Sequence, residues 1–150
     1  MEKSQTTLSI AEVIAQNGIY VGPTTGISML PMLKNRRDTI VVKAKTQRLK
    51  ALDVALYKRN NDYVLHRVIK PTQEGYIIRG DNCYADEYIL EENVIGVLVE
   101  FYRKGKHILC TDKKYLTYAK RRVKNYKIRK FFISIKNFTG AVLRKLHLKK

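Results

Sequence analysis

A serine, a histidine and a carboxylate can carry out acyl transfer when a fold brings them together. The sequence offers one coherent set. Ser28 lies in Gly26-Ile27-Ser28-Met29-Leu30-Pro31. Gly26 permits backbone angles that a side chain forbids, while Pro31 fixes its own φ and biases Leu30 toward extended geometry. A serine between apolar Ile27 and Met29 can show its hydroxyl to a substrate while its neighbours anchor in the core. An ordinary turn before a strand would use the same residue types. His66 sits in Tyr63-Val64-Leu65-His66-Arg67-Val68-Ile69, where a lone histidine is more often structural than catalytic. Asp81 leaves another strand at Gly80-Asp81-Asn82, and Asp86 follows. An attacking serine needs a base within roughly 3 Å, and an imidazole serves near neutral pH. A carboxylate behind the ring holds its tautomer and stabilises the imidazolium. Asp81 and Asp86 both suit that role, and the sequence does not choose between them.

Rival chemistries find no support. There is no H-E-x-x-H or other dense metal set, no Walker pattern and no dinucleotide glycine pattern. Gly22 to Gly26 lacks the strand–loop–Lys-Ser/Thr context of a phosphate loop. No cofactor or metal is expected. Glu91 and Glu92 are adjacent and would point apart on a regular element. His107 and His147 read as exposed. Cys83 and Cys110 form no C-x-x-C and read as free thiols of a reducing compartment.

The elements that must position these residues are mostly short strands. Thr7 or Ser9 caps a short helix over Ile10 to Gln16, ended by Asn17-Gly18. Extended segments follow at Ile19-Val21, Thr39-Val42 after Asp38, and Val54-Tyr57 after Asp53. Asn60-Asn61-Asp62 turns the chain into the His66 strand, where alternation puts Val64, His66 and Val68 on one face. Tyr76-Arg79 is a further strand. Glu87 to Asn93 is a mixed bridging piece. Val94 to Phe101 is a long strand with a bulge expected at Gly96, and His107-Leu109 pairs back on it. The expected fold is mainly β: a compact, coiled sheet with a basic helical tail.

Charge divides the chain unevenly. Residues 1–110 carry 16 Lys and Arg against 12 acids, whereas residues 111–150 carry 14 against one acid, Asp112. This contrast predicts a body over 1–110 and a tail over 111–150 that meets an anionic partner. Leu116, Ala119, Val123 and Tyr126, then Ile128, Phe131, Ile135, Phe138 and Val142, recur at helical spacing. They predict a basic amphipathic helix in two parts, broken near Gly140 or earlier. An anionic membrane surface or a partner protein fits the apolar stripe better than nucleic acid does. No run is long enough to cross a bilayer, and Met1 to Ala15 does not make a signal peptide. The expected location is cytoplasmic, peripheral at the inner face of the membrane.

At its three blocks the chain resembles the signal peptidase family of serine proteases. Gly26-Ile27-Ser28-Met29-Leu30-Pro31 looks like the family's nucleophile motif. Asp38-Thr39-Ile40-Val41-Val42 looks like the strand after it, with Arg37 where glycine is usual. Leu65-His66-Arg67-Val68-Ile69 resembles the general-base block of the archaeal and endoplasmic-reticulum type, which has histidine where the usual bacterial enzymes have lysine. Gly80-Asp81-Asn82 resembles the third block, and Asp86 or Glu87 is the candidate for the acid that follows. Val94-Ile95-Gly96 matches the entrance to the last strand. The resemblance spans Gly22 to Phe101. It implies a coiled β peptidase body and a serine endopeptidase that cleaves a peptide or leader sequence. In that mechanism Ser28 would be nucleophile and His66 base, with Asp81 or Asp86 behind the ring. The family's membrane helices are missing, and Gly26 stands where a hydroxyl often helps the oxyanion hole. The Ser28 amide is the expected donor there, with Thr24 or Thr25 as helpers. The alternative reading is a peptide-binding or membrane-surface adaptor that keeps the fold without turnover.

Overall fold

The computed structural model describes residues 8–135. The expectations at Thr7, Phe138, Gly140, Val142 and His147 lie outside that range. Helix α1 (Ile10–Asn17) begins at a Ser9–Glu12 capping box and ends at Gly18 in the left-handed conformation. Eight strands follow: β1 (Ile19–Pro23), β2 (Thr39–Ala44), β3 (Val54–Arg59), β4 (Asp62–Pro71), β5 (Gly75–Arg79), β6 (Glu87–Leu90), β7 (Val94–Arg103) and β8 (Lys106–Leu109). They form one antiparallel sheet in the order β1-β2-β7-β3-β4-β5-β6, with β8 on β7. The sheet curls into a half-barrel. Helix α2 (Lys113–Lys124) comes next, and after Asn125 the chain is helical again from 126 to 135, labelled α3.

The alternating strands bury residues on both faces of the sheet. One cluster gathers Ile14, Met29, Met32, Leu33, Ile40, Leu56 and Phe101. The other gathers Ala55, Tyr57, Val68, Tyr76 and Ile78. β7 crosses the middle and pairs with β2, β3 and β8. Gly96 is required there, because an added Cβ would lie 2.6 Å from Val42 and 2.8 Å from the Lys43 carbonyl. The extra β7 residue opposite β3 is its neighbour Ile95 rather than Gly96 itself.

Two expectations need correction. The bridging piece at Glu87 is a strand, β6, paired along β5 before a single 3-10 turn. The tail is not a separate layer from its first residue. Tyr115 and Ala119 of α2 are buried, and Tyr115 belongs to the first core cluster, against Phe101. The charge contrast at Thr111 therefore marks a change in surface, and the core continues into α2. No helix among the described residues is long and apolar enough to cross a membrane.

Candidate active site

The loop from Pro23 to Asp38 is tied at its base before it presents Ser28. The Thr24 N–H donates to the Asp38 carbonyl, and the Arg36 N–H to the Thr24 carbonyl. The Asp38 carboxylate, fully buried, accepts from the Lys34 N–H at 2.8 Å and from the Arg37 guanidinium at 2.7 and 2.8 Å. Gly26 has φ +84°, a left-handed angle that favours glycine, and its N–H donates to Asn35 Oδ1. A turn carries Ser28, and the Leu30–Pro31 peptide after it is cis. Met29 anchors this turn in the core, but Ile27 is 62% exposed at the cleft, so only one neighbour of the serine is an anchor.

β4 carries His66, and the Gly80-Asp81-Asn82 turn joins it to the serine. The Asn82 N–H donates to the Ser28 carbonyl at 2.7 Å, and the Asn82 amide to the Ile27 carbonyl at 3.2 Å. Gly80 sits where the two meet. A Cβ added there would lie 2.7 Å from the Ser28 carbonyl, 2.7 Å from Cys83 Sγ and 3.0 Å from His66 Nε2. The Ser28 backbone carbonyl and the Nε2 edge of His66 thus both flank Gly80, brought there from β4 and from a loop 38 positions earlier in the chain. Both line a cleft of about 520 Å³.

The other edge of the ring meets Tyr57 and Glu87. His66 Nδ1 is 3.2 Å from the Tyr57 hydroxyl and 3.6 Å from Glu87 Oε1. The Tyr57 hydroxyl donates to Glu87 Oε2 at 3.1 Å. Its single proton is therefore directed to the carboxylate, and its oxygen accepts from Nδ1–H. The network assigns the proton to Nδ1 and leaves the Nε2 lone pair on the serine side. Burial pushes the His66 pKa below its ordinary value, and Arg59 pushes it the same way, while Glu87 and Asp81 pull it back. The ring is therefore a neutral acceptor at neutral pH. Burial and Glu87 push the Tyr57 phenol well up, so it stays protonated.

Neither expected aspartate stands behind the ring. The buried Asp81 carboxylate is held by Arg67 Nε and Nη2, both at 2.8 Å, and by the Tyr118 hydroxyl at 2.9 Å. Arg67 follows His66 on the strand and so projects from the opposite face. Asp81 thus locks the Gly80–Asn82 turn to β4 from the far side. Asp86 is exposed and pairs with Arg79 at 2.9 Å. Glu87, one of two candidates for the acid after the third block, occupies the place behind His66. Thr24 is not an oxyanion donor, because its hydroxyl donates to the Lys34 carbonyl at 3.0 Å. Thr25 lines the cleft. The Ser28 N–H is left out of the turn's own hydrogen bonds, which run from Leu30 to Ile27 and from Leu33 to Met29.

Tyr57 and Arg59 were the residues least visible in the sequence. Their signal was the Asn60-Asn61 hairpin, which pairs Arg59 with Asp62, Tyr57 with Val64 and Ala55 with His66. That register makes Tyr57 a diagonal neighbour of His66 on one face. The cleft floor is apolar, with Leu33, Ile40, Leu56 and Leu65, and its rim carries Arg59, Asp62 and Glu87. Before Arg67, β4 pairs only with β3, since β5 joins it from Arg67 onward. Among the described residues no group of three or more His, Cys, Asp and Glu could hold a metal ion. No protein-family model matches the chain, and no curated protein matches it significantly.

Proposed function

We propose that this chain is a serine endopeptidase of the signal-peptidase type, with Ser28 as nucleophile and His66 as base. The observation that carries the reading is the convergence at Gly80, where the Ser28 backbone and His66 Nε2 approach one point while Tyr57 and Glu87 hold Nδ1. In this reading an extended peptide lies along the open side of β4, as a strand added to a sheet edge does. An apolar side chain of the substrate enters over Leu33, Ile40 and Leu56. His66 Nε2 takes the Ser28 proton as Oγ bonds to the scissile carbonyl carbon, and the Ser28 N–H donates to the oxyanion. The imidazolium gives that proton to the leaving amine as the C–N bond breaks. A water, deprotonated by Nε2, then cleaves the ester and restores the serine. Glu87, directly and through Tyr57, stabilises the imidazolium in each half.

The substrate class that goes with this reading is a peptide or a leader sequence in an extended conformation. The compartment is the cytoplasm, peripheral to the inner face of the membrane. In the free protein the Ser28 hydroxyl and the ring are not yet hydrogen-bonded, a contact that substrate binding commonly tightens. The test is labelling by a fluorophosphonate, which phosphonylates activated serines as Oγ bonds to phosphorus and fluoride leaves. Wild-type protein labels, whereas Ser28→Ala and His66→Ala do not. Equal labelling of wild type and Ser28→Ala would sink the assignment and leave the peptide-binding adaptor as the better reading.

A further inference from the structure

The C-terminal helices carry a groove that the peptidase reading does not use. It measures about 690 Å³ and is lined by Lys113, Lys114, Arg121, Arg122 and Arg129, with Ile128 at its side and no carboxylate in the lining. Residues 113–135 contain nine Lys and Arg and no acid. The cations at the floor are incompletely matched. Arg122 Nε and Arg129 Nη1 both donate to the Asp81 carbonyl at 2.9 Å, and Arg129 Nε is buried without a partner. Burial and the nearby Arg122 both lower the Arg129 pKa, which is the response of a cation short of an anion.

A second feature adjoins the groove. Ile128, Phe131, Phe132 and Ile135 follow at spacings of three, one and three, which sets them along one face of α3. All four are exposed, Phe131 and Phe132 at 62% and 65%. Ile128 belongs to both the stripe and the groove wall. A cationic groove continuous with an exposed aromatic stripe matches one kind of partner, a surface that is anionic at the top and apolar just beneath. A nucleic-acid backbone would satisfy the cations and leave the stripe in water.

We propose that residues 113–135 are a docking surface for an anionic phospholipid bilayer. Headgroup phosphates enter the Lys113–Arg129 groove, and Ile128, Phe131, Phe132 and Ile135 sit in the interface. Because Arg122 and Arg129 also grip the Asp81 carbonyl, a docked headgroup lies directly behind the turn that carries the candidate active site.

The test is co-sedimentation of the full chain with phosphatidylcholine vesicles, with and without phosphatidylglycerol. The chain carries Ser28→Ala, so the outcome does not depend on catalysis. Binding to the phosphatidylglycerol vesicles only is expected, weakened by added salt. Lys114→Gln with Arg121→Gln, and separately Phe131→Ser with Phe132→Ser, should each weaken it by about tenfold or more. Both pairs leave the Asp81 contacts in place, and an unchanged melting curve shows that each variant folds. Binding without preference for phosphatidylglycerol overturns the proposal. So does binding that the phenylalanine pair leaves unchanged and duplex DNA competes away, which would identify a general polyanion site.

Discussion

Glu87 and Asp81 are two carboxylates near one histidine, and their partners separate their roles. Asp81 is matched to Arg67 in a buried bidentate pair. Removing one member of such a pair leaves a buried charge and costs about 3–5 kcal/mol. Asp81→Asn should therefore lower the denaturant midpoint sharply. Glu87→Gln leaves that pair intact; its folding should hold while fluorophosphonate labelling slows by roughly a hundredfold or more. The pH profile divides the charges again. Labelling needs neutral His66, whose pKa lies below its ordinary 6.5, so the rate should hold through mild acid and fall only below that value. Glu87→Gln removes a carboxylate that favours the imidazolium and moves the fall to lower pH. Arg59→Gln removes a cation that disfavours it and moves the fall higher. Stability follows the same protons. The unfolded chain binds a proton at His66 more readily than the folded one, so acidification below the ordinary pKa destabilises the fold, by at most about 1.4 kcal/mol per pH unit. Cys83 offers an occupancy probe, since its thiol lies on the cleft wall beside Gly80. A peptide filling the cleft should protect Cys83 from alkylation. Cys110, whose thiol burial pushes up to about 11, should react slowly with or without it.

The elements converge on the Gly80–Asn82 turn. β4 grips it through Arg67, the serine loop receives two hydrogen bonds from Asn82, and α2 reaches it through Tyr118 and Arg122. Gly80→Ala would force the Ser28 carbonyl away from the turn, because that neighbour is backbone and cannot rotate aside. A displacement near 1 Å at a reacting group costs about a hundredfold in rate, so labelling should fall far more than the melting temperature. Much of this was legible in the sequence. Strand alternation and turn residues located seven of the eight strands, because each carries an apolar core between polar turns. β6 was missed because Tyr88 and Leu90 are exposed at the sheet edge and Glu87 is charged, leaving only Ile89 to signal burial. Spacing and resemblance singled out Ser28 and His66, and both line one cleft. The carboxylate beside the ring could not be singled out, because Asp81 and Glu87 differ in partners such as Arg67 and Tyr57 that only strand register brings near.

For the whole molecule, the sequence suggested a body and a tail, because charge changes at Thr111. Packing does not follow charge. Tyr115 fills the core beside Phe101, and its hydroxyl accepts from Arg67. Losing a large buried aromatic side chain costs about 3–5 kcal/mol. A chain ending at Cys110 should accordingly lose its cooperative thermal transition, whereas the full chain keeps one. The clasp on Asp81 also has a direction in time. A ribosome makes the serine loop, the His66 strand and the Gly80 turn well before Arg122 and Arg129, the residues that brace the turn from behind. A partly synthesised chain that has reached Tyr115 therefore still lacks that brace. The turn between Ser28 and His66 thus gains its last two hydrogen bonds from behind only when the C-terminal helices have been made.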